Sequence, residues 1–289
     1  MIPRGTIHLF RTKVLCNSVC YERLRIHNFC QFGVTLSFSI GLDSDFADIF
    51  EVRGLTRQQR GRCLPTRVAR DGLLLAYEGL DGRLRHTRIT FDPPHAELSK
   101  SEARYQMRLE PRAEANYQWT ICCEVAVIAE GGDRVVAAPH TAKASLRYED
   151  AAQEAAKALE ASRAEEPKIF TSNEQFNDWV NRSLADLHMM RTETIHGHYP
   201  YAGIPWFCTI FGRDGIITAL ECLWYNLTVA RGVLRYLAAT QAETEKAEQD
   251  AQPGKVLHEM RAGEMAALGE VPFARYYGSV DATPMFVML

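Results

Sequence analysis

Val34-Thr-Leu-Ser-Phe-Ser-Ile-Gly-Leu42 alternates apolar and polar residues, so Val34, Leu36, Phe38, Ile40 and Leu42 share one face. A period of two is that of an extended strand with one side buried and the other in water. Runs of the same kind lie on either side, at 6–15, 21–29, 73–77, 84–91, 105–109 and 117–128. Turn-forming clusters separate them: Arg70-Asp-Gly72, Leu80-Asp-Gly-Arg83, Asp92-Pro-Pro94 and Glu130-Gly-Gly-Asp133. Short strands with no helical pattern between them predict an antiparallel β-sandwich over residues 1–147.

The pattern then changes. Residues 149–166 are almost all strong helix formers, rich in alanine and glutamate, and Pro167 ends the run. So much alanine buries little surface, and 148–167 reads as an exposed helical linker. From Thr171 the period is helical. Thr171-Ser-Asn-Glu174 has the form of a capping box, and Phe176, Val180, Leu184, Leu187 and Met190 make one apolar stripe. A second helix carries Ile216, Ile217, Leu220, Leu223 and Trp224. A third carries Val229, Val233, Leu234, Leu237 and Ala238, and another begins near Asp281. The fold class is therefore α+β, with a helical region over 168–289.

Composition narrows the function. The 289 residues are 46% apolar and 24% charged, as in a globular protein, with a net charge of −3. A nucleic-acid backbone would call for a basic excess, so no nucleic-acid partner is expected. No apolar run approaches the roughly 20 residues of a membrane helix, and the first residues lack the pattern of a signal peptide. The eight cysteines include no Cys-x-x-Cys pair, which fits free thiols in a cytoplasmic setting, with neither a metal site nor a cofactor. Oligomeric state is left open.

One stretch carries chemistry. Tyr199, Tyr201, Trp206 and Phe207 crowd together just before Arg213-Asp214, at the mouth of an amphipathic helix. Aromatic faces cover the apolar C–H side of a sugar ring, and a guanidinium with a carboxylate can grip its hydroxyls. The expected partner is a carbohydrate.

Asp45-Phe-Ala-Asp-Ile-Phe-Glu-Val-Arg-Gly54 resembles the N-terminal β domain of bacterial glycogen-debranching-type proteins. Ala202-Gly-Ile-Pro-Trp-Phe-Cys-Thr-Ile-Phe-Gly-Arg-Asp214, Gly254-Lys-Val-Leu-His-Glu-Met-Arg261 and Tyr277-Gly-Ser-Val-Asp-Ala-Thr-Pro284 are similar to the opening of the amylo-α-1,6-glucosidase domain. That domain is an (α/α)6 toroid of the six-hairpin glycosidase class, which also holds glucoamylase and trehalase. The resemblance implies inverting hydrolysis of an α-glucan or oligosaccharide by two carboxyl groups roughly 6.5–9.5 Å apart. It assigns Asp281 as general acid and Arg213 and Asp214 as the grip on the non-reducing glucose. Trp206 would wall that ring, and His258, Glu259 and Arg261 would line the same cleft with roles not separated. A trehalase-like or small α-glycoside hydrolase of the same class is an alternative, and so is a non-catalytic carbohydrate-binding or assembly protein.

Six helix pairs do not fit after Pro167, where there is room for about four helices. The toroid is expected to be incomplete, with the general base beyond Leu289, and the chain by itself to be catalytically incompetent. Structural readings stand beside these roles. Asp281 and Asp214 are each placed to cap a helix, and Trp206 could be plain core.

Overall fold

The computed structural model describes residues 3–93, 97–128, 135–137, 146–164 and 166–289. The strands are β1 (Ile7–Cys16), β2 (Val19–Asn28), β3 (Val34–Gly41), β4 (Arg62–Val68), β5 (Gly72–Glu78), β6 (Arg83–Asp92), β7 (Glu97–Leu98), β8 (Glu102–Leu109), β9 (Glu114–Ile128), β10 (Val135–Ala137), β11 (Arg191–Thr194), β12 (Gly197–Pro200), β13 (Ile210–Phe211) and β14 (Glu259–Met260). The helices are α1 (Ile49–Val52), α2 (Tyr148–Ala164), α3 (Glu174–Met190), α4 (Gly212–Cys222), α5 (Leu227–Ala239), α6 (Glu264–Ala267) and α7 (Ala282–Met288). The chain forms two compact units. The first holds Met1–Ala47 and Thr56–Ala158, and the second holds Asp48–Leu55 and Leu159–Leu289, so the division falls inside α2.

The first unit is an antiparallel sandwich. One sheet runs β1-β2-β9-β6-β5-β4, with β10 also on β9, and the other runs β3-β8-β7. The alternation in 34–42 does what its period requires: Leu36, Phe38 and Ile40 of β3 pack with Tyr105 of β8 against Ile26, Leu73, Phe91, Tyr117 and Trp119 of the larger sheet. Phe38 lies parallel to Tyr105 at 4.8 Å, and Tyr105 meets Tyr117 edge-on at 4.9 Å. Such ring pairs add about 0.5–1.5 kcal/mol each beyond the burial of their area.

The helix expected over 149–166 is α2. It does not lie wholly in solvent, because Tyr148 and Ala151 are buried with Cys16, Val19, Tyr21 and Cys122. The turn signal Glu130–Asp133 and the last residue of Asp92-Pro-Pro94 lie outside the described residues.

The second unit is built on α4 and α5. Asn226 caps α5, its side chain accepting from the Thr228 N–H. Val229, Ala230, Val233, Tyr236 and Leu237 then bury one face, the three-and-four spacing of an amphipathic helix. Gly232 lets that face lie directly on β12, since a Cβ there would sit 1.9 Å from the His198 carbonyl oxygen.

Two sequence expectations change in this unit. The cap of α3 is Asn173, which accepts from the Phe176 N–H; Thr171 instead bonds Asn177. The stripe from Phe176 to Met190 is also not a buried one, for Asn177 is the buried residue of α3 and Phe176 is 41% exposed.

The motif around Asp45–Gly54 contains a helix that its short apolar spacing did not reveal. Asp48 caps α1 through the Phe50 N–H, and Glu51 reaches back to the Asp48 N–H in a full capping box. The second Asp48 oxygen accepts from the Met265 N–H at 3.1 Å, fastening this segment to the start of α6. Phe50 is buried there with Met265, Ala266 and Val271.

Candidate active site

β13 and β14 place the two central motifs side by side. Phe211 pairs with Glu259 and Ile210 with Met260, and the Gly212 N–H donates to the His258 carbonyl at 2.9 Å. Position 212 must be glycine for this approach, because a Cβ would stand 1.7 Å from the Leu257 carbonyl oxygen. The result is a helix that begins hard against the 257–259 backbone, with Arg213 and Asp214 in its first turn. Phe211 offers no side-chain cap. Asp214 is half-buried there, a favourable place for a negative charge beside unpaired helix N–H groups.

α7 packs against α4, and Asp281 stands at the cap position just before it. Arg213 donates from Nη1 to Asp281 Oδ2 at 3.4 Å, joining motifs far apart in the chain. Both side chains are part-exposed, at 46% and 40%. Asp281 makes no capping bond with its side chain. Ser279, which the sequence reading did not single out, donates to Asp281 Oδ1 and accepts from the Ala282 N–H. The Ser279 hydroxyl, with help from Arg213, holds the Asp281 carboxyl below the usual aspartate range, against a smaller opposing effect of desolvation. Asp281 is thus a carboxylate at neutral pH.

Glu259, Arg261 and Trp206 form a second, drier group. Arg261 Nε meets Glu259 Oε1 at 2.5 Å, with both side chains under 10% exposed. Its Nη1 donates to the Trp206 carbonyl at 2.7 Å. The guanidinium carbon lies 4.4 Å from the Trp206 ring centre, and that of Arg53 lies 4.5 Å from it. Phe50 meets the same indole edge-on at 5.3 Å. Trp206 is therefore held between cations and a phenyl ring, and Glu259 and Arg261 neutralise each other. His258 is half-buried between Phe211 and Tyr276, about 6 Å from each ring. Its Nδ1 and the Arg261 Nη2 are buried with no hydrogen-bond partner among the described residues.

The aromatics before this site divide. Tyr199 is fully buried and donates to the Phe211 carbonyl, so it is core and does not face a ligand, while Phe207 is 48% exposed. Among the described residues no group of three or more His, Cys, Asp or Glu gathers as metal ligands would, and no helix is long and apolar enough to cross a membrane.

Comparison with known proteins agrees with the motif reading of the N-terminal part of the chain. Residues 1–120 match the family model of the N-terminal domain of (some) glycogen debranching enzymes. Over this stretch, less than half of the chain, the protein is similar to that N-terminal domain. Among solved structures, the chain is similar to a protein described as a kojibiose phosphorylase from the human microbiome, with a TM-score of 0.57 and 10% identity. The match covers 81% of this chain and 32% of that one, so the chain spans about a third of that relative's length. At that identity the likeness is one of fold. No curated protein sequence matches the chain.

Proposed function

We propose that this chain carries part of the sugar-binding and catalytic apparatus of a glycoside hydrolase for α-linked glucose, with α-1,6 branch points of glycogen-like glucans as substrate. The helical region is then the opening part of an (α/α)6 toroid. The observation that carries the reading is the meeting of Arg213 with Asp281 at the adjoining starts of α4 and α7. A guanidinium and a carboxylate, both part-exposed, can share the hydroxyls of one glucose. Asp214 stands in the same first helical turn as Arg213, and His258 lies against Phe211, its backbone carbonyl accepting from the Gly212 N–H. Trp206, Glu259 and Arg261 act in this reading as the wall that fixes β14 and the residues next to Arg213.

An acid catalyst must hold a proton, and Asp281 beside Arg213 does not hold one at neutral pH. The acid role therefore requires the sugar to draw Arg213 onto its hydroxyls and cover the carboxyl, both of which raise its proton affinity. The second carboxyl group of an inverting pair would activate water from the opposite face of the ring. The test is Asp281→Asn in a full-length protein with the toroid complete, assayed for glucose release from limit dextrin and isomaltose-type substrates. Turnover should fall by about two to four orders of magnitude with the melting temperature little changed. Near-normal turnover removes Asp281 from the role. If the unaltered full-length protein releases no glucose, the substrate reading fails.

The ionised state of Asp281 also favours a second reading, a carbohydrate-binding protein without hydrolysis, since a carboxylate is a good acceptor for sugar hydroxyls. Calorimetric titration of the full-length protein with maltooligosaccharides separates the two: heat of binding without released glucose supports the binding protein.

A further inference from the structure

Asp281 occupies the position where an aspartate ordinarily caps a helix, accepting from backbone N–H groups of the first turn. Its side chain makes no such bond. The capping is done by Ser279, whose Oγ accepts from the Ala282 N–H at 3.2 Å. The same oxygen donates its proton to Asp281 Oδ1 at 2.5 Å. A carboxylate engaged as a cap has its oxygens turned toward the helix backbone. Here one oxygen is tied to a hydroxyl and the other, Oδ2, is directed to Arg213.

We propose that Ser279 is a positioning residue for Asp281. By capping α7 in its place and tying Oδ1, Ser279 frees Oδ2 as the oxygen presented to Arg213 and to the sugar. This deepens the reading of Asp281 as catalytic and rests on it, but the local claim can be measured without any assay of activity. Arg213 is the charged group that α4, the element packed on α7, presents to this carboxyl. A hydroxyl that donates to one oxygen stabilises the ionised form, so removing it must raise the proton affinity of Asp281. It must also let the carboxylate swing back to the cap.

The experiment is carbon-13 NMR of the carboxyl groups in the aspartate-labelled 289-residue chain, with the Asp281 signal assigned by its loss in Asp281→Asn. In the unaltered chain Asp281 should titrate below the ordinary aspartate value of about 3.9. Ser279→Ala should move the midpoint up toward that value, and Ser279→Thr, which keeps both bonds, should restore it. Arg213→Gln alters an exposed side chain, leaves the serine bond in place and should keep the midpoint low. The proposal is overturned if Ser279→Ala leaves the titration where it was. It is overturned equally if Arg213→Gln alone returns Asp281 to the ordinary value, an outcome readable even where Ser279→Ala does not fold. In the full-length protein, Ser279→Ala should lower kcat at least tenfold with KM little changed and move the alkaline limb of the pH–rate profile, where a general acid loses its proton, to higher pH. If the unaltered protein shows no glycosidase activity while the NMR shifts appear, the catalytic reading falls and the positioning of Asp281 stands.

Discussion

At the scale of single residues, the second unit separates charges that work in the open from charges that hold the fold. Arg213 and Asp281 are part-exposed and loosely joined, whereas Glu259 and Arg261 are shut in with Trp206 and Phe50. Removing one member of a buried pair leaves the other uncompensated, at a cost of about 3–5 kcal/mol. Glu259→Ala should therefore lower unfolding free energy by about 3 kcal/mol, the low end, because Arg261 keeps its bond to the Trp206 carbonyl and its place over the ring. Urea denaturation measures this. In a double-mutant cycle, Arg261→Met added to Glu259→Ala should cost less than the sum of the two single changes. A loss under about 1 kcal/mol in Glu259→Ala would show that the pair is solvated and that its carboxylate is free for substrate.

Among the elements, the eight residues Asp48–Leu55 matter most, because they belong to the helical unit although the chain around them belongs to the β unit. Asp48 has two tasks there: it caps α1 and receives the Met265 N–H. Asp48→Ala removes a cap worth about 0.5–2 kcal/mol and strands a buried amide at a further cost of about 1–3 kcal/mol. Thermal unfolding should show the combined loss, and Asp48→Asn, whose single carbonyl oxygen can keep only one of the two bonds while its amide nitrogen faces the other N–H, should recover only part of it. This element also shows where the sequence stopped being legible. The strands could be read because each hides one face, and a period of two survives any tertiary context. α4 and α5 could be read for the same reason at a period of 3.6. α1 could not: a single turn has no period to detect, and Asp48-Ile-Phe-Glu51 signals a helix by its capping pair alone. Thr171-Ser-Asn-Glu174 misled in the opposite way, since Thr171 and Asn173 are both good caps and the choice between them came from the bond of Thr171 to Asn177. Within the site, motifs far apart in sequence led to Arg213 and Asp281. Ser279 was visible as a serine two residues before an expected helix start. Its double bond was not, because spacing does not say which oxygen will do the capping.

Over the whole molecule, groups with shifted proton affinity lie in both units, and their signs combine into one pH profile. Burial acts to raise the Asp81 carboxyl, but the two-pronged grip of Arg85, at 2.9 and 2.7 Å, and the Arg83 N–H outweigh it and hold it low. Glu102 is lowered by Ser39 and Arg104, and Asp281 by Ser279 and Arg213. A carboxyl whose folded value is depressed stabilises the fold above its unfolded value, about 4, and that contribution disappears as pH falls through the folded value. Burial lowers His86 and His188, so the folded chain prefers them neutral. Their effect is complete above about 6.5 and fades as pH falls below it, in the same direction. On the alkaline side burial raises Cys16, Cys122, Tyr105 and Tyr199, whose folded forms keep protons that the unfolded chain gives up. Stability should then decline above about 8.5 as unfolded thiols ionise, and further above about 10. Urea midpoints measured from pH 3 to 10 should be highest between about 6.5 and 8.5, with the steepest fall below about 4. Asp81→Asn should lower the plateau and flatten the acid limb together, since the lost ion pair is what the acid would have removed. A midpoint that does not change between pH 3 and 7 contradicts the argument, because it would mean that none of these groups changes its proton affinity on folding.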